Sequence, residues 1–242
     1  MLEGLYAAAA GMEAQQQQMD AVGNDLANVS TTGYKAERVG FSDLLYNQVN
    51  QAGTSTTTGA GAVAQVLGRT SAQGSLQQTG EPLDLAIQGE GYFQIKSSGK
   101  LALTRNGAFS VDGKGQLVTA DGSLLDPPIT LPAGVRSGEV TISPDGSVHA
   151  GTRTLGKLAL VTVAAPDHLL ADGSGAFTPT AASGAPKPVQ GATILQGALE
   201  GSNVDMASEM TTMVTTQRNY QLASTAIQTQ NQMLAIANQL RS

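Results

Sequence analysis

The side chains that most often catalyse reactions or bind metals are few and far apart in this chain. The 242 residues contain no Cys and two histidines, His149 and His168. Neither histidine has a second ligand at the spacing of a zinc site, and Asp167 beside His168 is typical of a solvated loop pair. No serine lies in a Gly-x-Ser-x-Gly elbow, and the Asp-Gly pairs lack the further acidic ligands of a calcium loop. The sequence therefore predicts a protein that is not an enzyme, with no catalytic residue, metal site or cofactor.

The composition indicates a folded protein with few charges. Charged residues make up 13% of the chain and aromatic residues 4%, and Trp is absent; about a quarter of an average protein is charged. The length suffices for one large or two modest domains. The net charge of −6, without a Lys/Arg cluster, argues against nucleic acid or an anionic membrane as partner.

No cleavable signal or membrane segment is visible. The first residues lack a basic region, and the alanines that follow are interrupted by Glu13 and a Gln run. The longest apolar stretch falls far short of the roughly 20 residues that a membrane helix needs, so no membrane insertion is expected. Because no cleavable signal is visible, we expect any export to leave the N-terminus intact. A chain without Cys passes unchanged through any redox compartment, which suits export.

Residues 204–241 predict one long helix, because they contain neither Gly nor Pro. Apolar and aromatic residues recur there at steps of seven, the spacing of a coiled-coil seam. They are Met206, Met213, Tyr220, Ile227 and Leu234. Ser202 and Asn203, just before the helix, suit the N-cap position.

The opposite face of this helix is polar but almost uncharged. Between Met210 and Leu240 the only charged residue is Arg218. A solvated helix normally carries Glu and Lys, whereas amides and hydroxyls are cheaper to bury. The face indicates either an exposed Gln-rich helix or a helix surrounded by protein that includes other subunits. The second interpretation is favoured.

Residues 2–28 predict a second long helix with its own seam at steps of seven. The seam residues are Leu5, Met12, Met19 and Leu26. Three glycines weaken this helix by about 1 kcal/mol each relative to Ala, so it needs a partner helix. The simplest arrangement pairs the two terminal helices, with the rest of the chain inserted between them.

The sequence pattern of the central part of the chain predicts β structure. Short alternating runs are separated by turn signals, among them Asp112-Gly113, Asp121-Gly122 and Asp145-Gly146. The Gly-, Ser- and Thr-rich region before it is either a flexible linker or an extended hairpin. We therefore predict an α+β fold in three parts. They are a helical coiled-coil domain of residues 1–30 and 203–242, an extended connecting region of residues 31–80, and a central all-β domain of residues 81–202.

A set of motifs spans essentially the whole chain. They are residues 26–35 (LANVSTTGYK), 41–46 (FSDLLY), 73–80 (QGSLQQTG), 83–93 (LDLAIQGEGYF), 104–109 (TRNGAF), 199–205 (LEGSNVD) and 217–220 (QRNY). In this order they resemble the flagellar rod and hook protein family. Residues 41–46 and 217–220 are most similar to the distal-rod members, with the proximal rod or the hook as the alternative. The stretch after Gln51 departs from the distal-rod pattern because it is short and low in large apolar residues.

The resemblance implies a structural subunit of the basal-body rod, in the periplasm or cell wall. Such subunits self-assemble into a helical tube that transmits torque from motor to hook and surrounds the export channel. The implied partners are further copies of the chain, other rod subunits, the hook protein, the surrounding ring proteins and the flagellar type III export apparatus. The residues expected at the assembly interface are Leu5, Met12, Met19, Leu26, Asn28, Gly33, Tyr34, Met206, Met213, Tyr220, Ile227 and Leu234.

Two other classes explain part of the sequence. A secreted adhesin with a coiled-coil stalk would account for the seams, but stalk helices usually carry charges beside the seam, and these are missing here. A carbohydrate-binding β protein would account for the middle, but Tyr92 and Phe93 are too few and too apolar in context. Filaments in electron micrographs of the concentrated protein would separate assembly from both classes.

The double substitution of Gln221 and Gln228 by Glu tests the neutral face. On an exposed helix it should change stability by no more than about 0.5 kcal/mol. In a helical lattice the added repulsion, about 1 kcal/mol per subunit, repeats in every copy. We expect assembly, or export past the rod, to stop while the subunit is made at normal levels. Normal rods and hooks on such a mutant would show that the face is solvated.

Overall fold

The computed structural model describes residues 2–44, 47–51, 54–58, 61–97, 99–132, 134–189 and 191–239. The chain divides into two compact units. The helical unit consists of Met1–Ala27, Glu37–Leu67 and Asp205–Ser242. The β unit consists of Asn28–Ala36 and Gly68–Val204.

The helical unit is built on two long helices that pack against each other. Its elements are α1 (Leu2–Ala27), β1 (Glu37–Asp43), β2 (Asn47–Gln51), β3 (Thr54–Thr58), β4 (Ala62–Arg69) and α2 (Met206–Gln239), and the last two residues of β4 already belong to the β unit. Strand β1 pairs with β4, and β2 pairs antiparallel with β3. The Thr-rich stretch is therefore a β hairpin wherever the structure describes it, while Leu45 and Tyr46 of the 41–46 motif lie outside the described residues. Neither helix is apolar enough over its described length to span a membrane.

The seam predicted on α2 corresponds to the side of the helix that is partly buried. Partly or fully buried residues recur at alternating steps of four and three, as on a helix that packs along one stripe. They are Glu209, Met213, Thr216, Tyr220, Ala223, Ile227, Gln230 and Leu234, and Thr212 and Ser224 beside this stripe are partly buried as well. On α1 the predicted seam residues Leu5, Met12, Met19 and Leu26 are also partly buried. Met206 differs, because it opens the first turn of α2 and stays 46% exposed.

The prediction of Ser202 and Asn203 as N-cap residues is wrong. Asp205 caps α2 instead, since its carboxylate accepts the backbone N–H groups of Ala207 at 2.9 Å and Ser208 at 3.2 Å. The Asn203 side chain is engaged elsewhere, by backbone groups of the β unit. A capping side chain must lie immediately before the first helical turn, and Asp205 is the residue at that position.

Sixteen strands, most of them short, lie in the part of the β unit that the structure describes. They are β5 (Leu76–Gln78), β6 (Leu85–Gln88), β7 (Tyr92–Ser97), β8 (Lys100–Thr104), β9 (Phe109–Val111), β10 (Leu117–Thr119), β11 (Leu124–Leu125), β12 (Val140–Ile142), β13 (Ser147–Ala150), β14 (Arg153–Lys157), β15 (Leu160–Thr162), β16 (Leu170–Ala171), β17 (Ala176–Thr178), β18 (Lys187–Pro188), β19 (Thr193–Gln196) and β20 (Ala198–Glu200).

The largest sheet of the β unit has nine strands. Its main path runs β16-β17-β8-β7-β11-β10-β9, and β15 joins β7 to β18. Strands β12, β13 and β14 form a second antiparallel sheet, β19 pairs with β6, and β20 pairs with β5. The β-rich middle predicted from the alternating runs is thus confirmed.

Aliphatic side chains fill the main core of the β unit, as the scarcity of aromatic residues predicts. Leu85, Ile87, Ile95 and Leu117 are at most 1% exposed in this core. Phe93 packs edge-to-face on Phe109, with 5.3 Å between ring centroids. A smaller cluster forms where Tyr92 meets Phe177 in the same geometry.

The three Asp-Gly pairs all lie in connections between antiparallel neighbours, as predicted. In two of them the glycine of the pair has positive φ, at Gly122 and Gly146. In the first connection the residue with positive φ is Gly115. That loop is longer because the Asp112 carboxylate accepts the N–H groups of Lys114 and Gln116.

Gly107 lies where two backbone segments of the β unit approach each other closely, so its substitution tests this packing. A Cβ at this position would lie 1.6 Å from the carbonyl oxygen of Leu85, so the backbone would have to move. We expect Gly107→Ala to lower the free energy of unfolding by about 1–3 kcal/mol, measured from urea denaturation. Gly113→Ala is the matched control, because a Cβ there meets nothing within 4 Å. Equal effects of the two substitutions would contradict the packing of β6 against the turn after Arg105.

Candidate functional site

The carboxylate of Glu200 lies in the interior of the β unit, with 0% exposure. Side chains alternate along β20, so Ala198 and Glu200 both face inward. The Glu200 Oε1 accepts hydrogen bonds from Lys35 Nζ at 2.5 Å and from the backbone N–H of Gly74 at 3.0 Å. Its Oε2 accepts one from Arg105 Nη1 at 2.9 Å. We call Lys35, Arg105 and Glu200 the ion cluster.

Two cations share one carboxylate in this cluster, and both are buried. Lys35 is 2% exposed and Arg105 3%. Burial lowers the pKa of Lys35, the Glu200 carboxylate opposes that shift, and the Arg105 guanidinium adds to it. Lys35 also donates to the carbonyl oxygen of Ala72 at 2.7 Å, which satisfies a second of its N–H groups. The carboxylate is therefore what makes the burial of two positive charges tolerable.

Arg105 is positioned by groups on several sides of its guanidinium. Its Nη2 donates to the carbonyl oxygen of Gly89 at 2.8 Å. The Tyr92 ring lies beside it, with 5.4 Å from Cζ to the ring centroid, which is cation–π distance. Its Nε has no hydrogen-bond partner among the described residues. The adjacent aromatic face offsets part of that loss, because it attracts the cation as a whole.

A second layer of contacts surrounds the ion cluster. The Asn203 side chain accepts the N–H of Ala36 at 2.8 Å and donates to the carbonyl oxygen of Ala72 at 2.8 Å. Arg69 Nη1 donates to the carbonyl oxygen of Lys35 at 3.0 Å, and its Cζ lies 5.1 Å from the centre of the Tyr34 ring. These bonds connect segments far apart in the chain, so they fix tertiary structure rather than local turns.

Gly33 is required at its position for two reasons. Its φ is +70°, a conformation that residues with a Cβ rarely adopt. A Cβ would also lie 2.6 Å from the backbone nitrogen of Asn106, closer than any contact allows. In return, the Gly33 N–H donates to the carbonyl oxygen of Glu200 at 2.7 Å.

The ion cluster and the contacts around it join three chain segments of the β unit, which lie next to three of the four positions where the chain changes unit. These segments are residues 33–36, just before β1, residues 69–74, which start at the last residue of β4, and residues 200–203, before α2. Each segment contributes at least one group described above, and all of these groups belong to the β unit. The arrangement can hold chain segments in place. No set of three acidic or His side chains suited to a metal ion occurs within the described ranges.

The predicted interface residues fall into two groups. Asn28, Gly33 and Tyr34 lie in the β unit. Gly33 and Tyr34 contact the ion cluster or its surrounding contacts, whereas Asn28 Oδ1 accepts from the Thr31 hydroxyl at 3.1 Å. The nine seam residues of α1 and α2 lie in the helical unit. No local pattern in the sequence assigns a role to Lys35, Arg105 or Glu200. All three are charged residues inside motifs that contain Gly or Asn, but Lys35 and Glu200 are 165 residues apart, so their pairing has no local signal.

Substitutions in the ion cluster should be unequal in effect. Glu200→Gln leaves two buried cations without a counter-charge, so we expect the free energy of unfolding to fall by about 3–5 kcal/mol. Lys35→Met removes one buried cation and leaves the Arg105–Glu200 pair intact, so a clearly smaller loss is expected. Urea unfolding of the full chain measures both. A loss for Lys35→Met as large as that for Glu200→Gln would show that the shared carboxylate is not the controlling group.

Three family models match successive parts of the chain. "Flagella basal body rod protein" matches residues 5–35, "Flagellar hook protein FlgE/F/G D1 domain" residues 86–150, and "Flagellar basal body rod FlgEFG protein C-terminal" residues 195–240. The first and third include Lys35 and Glu200, and the second includes Arg105. The residues of the ion cluster thus come from three different matched regions.

Curated relatives match the chain over its whole length. The flagellar basal-body rod protein FlgG of Caulobacter vibrioides is 39% identical over 264 residues, covering 100% of both chains. The protein of that name from Bacillus subtilis is 34% identical, covering 97% of each chain. The flagellar basal-body rod protein FlgF of Caulobacter vibrioides is 34% identical over 91% of this chain and 90% of its own. From this identity along nearly complete chains, we conclude that the chain belongs to the flagellar basal-body rod protein family.

Proposed function

We propose that the chain is a structural subunit of the distal flagellar rod that assembles with copies of itself into a helical tube. The tube transmits torque from the motor to the hook and surrounds the export channel. The family membership supports the role in the rod. The relatives named FlgG support the distal assignment, and the proximal rod is the alternative.

The observation that carries the self-assembly is an apolar stripe on the outer side of α2. Met210, Val214, Leu222, Met233 and Ile236 are all exposed, Leu222 by 69%. At 100° per residue Val214, Leu222 and Ile236 lie on the side of the helix opposite the buried seam, and Met210 and Met233 lie at the two flanks of that side. A helix with apolar residues on two opposite sides is fully buried only when protein covers both sides. Here the chain itself covers the seam side, so further protein would have to cover the other. We call these five residues the outer stripe.

The neutral polar residues of α2 fit the same burial. The hydroxyls of Thr211, Thr215, Thr225 and Thr229 donate to backbone carbonyls one turn earlier, at 2.9 Å. These side chains therefore enter an interface with their hydrogen bonds already made. Gln221 and Gln228 are exposed in the single chain, so only neighbouring subunits would cover them.

Within the subunit, we propose that α1 and α2 pair as a coiled coil through their seams. The alternating spacing of four and three residues along α2 supports it. The predicted interface residues would then act at two levels. The seam residues would fix the helix pair, and Asn28, Gly33 and Tyr34 would fix the segment that follows α1.

The proposed location is the basal body, across the periplasm or cell wall, after export by the flagellar type III apparatus. Other rod subunits, the hook protein and the surrounding ring proteins are the proposed neighbours. Immunogold labelling of isolated basal bodies with a tagged subunit tests this location. Label at the hook end of the rod is expected, and label at the motor end would favour the proximal rod. Basal bodies without label would overturn the assignment.

Leu222→Asp tests the outer stripe. Leu222 is exposed in the single chain, so the unfolding midpoint of the dilute subunit should change little, by about 0.5 kcal/mol at most. In the assembled tube the carboxylate would be buried without a partner, which costs several kcal/mol, so swimming should be lost. Leu170→Asp is the matched control, since Leu170 is 64% exposed but lies in the β unit. Normal swimming of the Leu222→Asp strain would show that this face of α2 stays in solvent.

A further inference from the structure

The two helices of the helical unit have an uneven distribution of charge. Arg218 is the only Lys or Arg in α1 or α2. It is exposed, and it lies in the outer stripe with Val214 one turn before it and Leu222 one turn after it. No described residue forms a salt bridge with it. If the outer stripe is covered by protein, this guanidinium needs an acidic partner there.

The charged residues of α1 are all acidic. Glu13 and Asp20 are both exposed and lie seven residues apart, so they share one side of the helix. Asp20 forms no salt bridge within the described part of the chain. The seams by which α1 and α2 contact each other lie on other faces. The unpaired cation and the unpaired acid therefore both point away from the helix pair of their own subunit.

Asp20 lines a groove within the helical unit. The groove has a volume of about 460 Å³ and lies between α1 and the β1–β4 ribbon. Ala21, Val39, Ala64 and Val66 form the apolar parts of its lining, and the acidic residues of the lining are Asp20 and Glu37. Apolar walls that include carboxylates complement a helix face that carries apolar side chains around one guanidinium.

We propose that the outer stripe of α2 in one copy of the chain docks in this groove of a neighbouring copy. The Arg218 guanidinium then pairs with the Asp20 carboxylate, and Val214 and Leu222 contact the apolar walls. Because the two surfaces differ, the contact is head-to-tail and repeats from copy to copy, as a helical assembly requires. The proposal rests on the proposed function and adds to it the surfaces that meet.

Charge reversal tests the ion pair in cells whose own copy of the gene is deleted. Arg218→Glu should abolish swimming, because it places two carboxylates together, and so should Asp20→Arg. The double variant Asp20→Arg with Arg218→Glu should restore swimming, since the pair is re-formed with opposite polarity. Glu13→Arg with Arg218→Glu is the matched control and should stay non-motile, because Glu13 does not line the groove. Rescue by Glu13→Arg but not by Asp20→Arg would overturn the proposed register.

Disulfide cross-linking tests the contact without relying on motility. The chain has no Cys, so introduced thiols have no native competitor. Cells that make Asp20→Cys and Arg218→Cys chains together should yield a cross-linked dimer after mild oxidation of basal bodies. Cells that make only one of the two variants should yield no cross-linked dimer. Glu13→Cys with Arg218→Cys is the control for spacing and should also yield none, because Glu13 does not line the groove.

The outcomes separate this proposal from the proposed function. If basal bodies contain both the Asp20→Cys and the Arg218→Cys chain but yield no cross-linked dimer, the proposed docking is wrong. The assignment to the rod would be unaffected by that result. A cross-link from the Arg218→Cys chain to a protein of different mass would show that the outer stripe of α2 contacts another kind of subunit. That result would also overturn the proposed docking. Absence of the unmodified chain from basal bodies would overturn the rod assignment itself.

Discussion

The sharing of one buried carboxylate by two buried cations is the constraint on which the β unit depends. Glu200 is fully buried and both of its oxygens are engaged, by Lys35 and Arg105. Replacing such a triad by apolar residues of similar volume is often neutral or stabilising, so net stability does not explain it. What the cluster does provide is geometry, because each partner must arrive from a different segment for the charges to be satisfied.

That geometry has a mechanical consequence for a rod subunit. At three of the four positions where the chain enters or leaves the β unit, the adjoining segment includes residues of the ion cluster or its surrounding contacts. Asn203 connects Ala36 to Ala72, and Gly33 bonds to Glu200. Loops at such passages would normally be the most mobile parts of a two-unit chain. Here they are held by buried, charge-assisted hydrogen bonds, which favours a subunit that transmits force.

The two units differ in how complete they are on their own. The β unit closes its core with aliphatic residues and two edge-to-face aromatic pairs. The helical unit leaves the outer stripe of α2 and the groove beside α1 exposed. Along most of α2 the only charge is Arg218, so exposure of the outer stripe to water contributes little to the stability of the helix. The helical unit is therefore the part of the chain that a helical assembly would complete.

Local, repeating patterns in the sequence were enough to predict several elements of the fold. The heptad spacing predicted α1 and α2, the alternating runs predicted the β-rich middle, and the motifs in order predicted the family. Which charged residues are buried together could be seen only in the folded chain. Lys35 and Glu200 are 165 residues apart, and each alone resembles a surface charge. The same is true of Asn203, which looks like a helix cap but bonds to Ala36 and Ala72, leaving the cap to Asp205. Periodicity is a property of neighbouring residues and can be read from the chain, whereas such pairings exist only once distant segments have been brought together by folding.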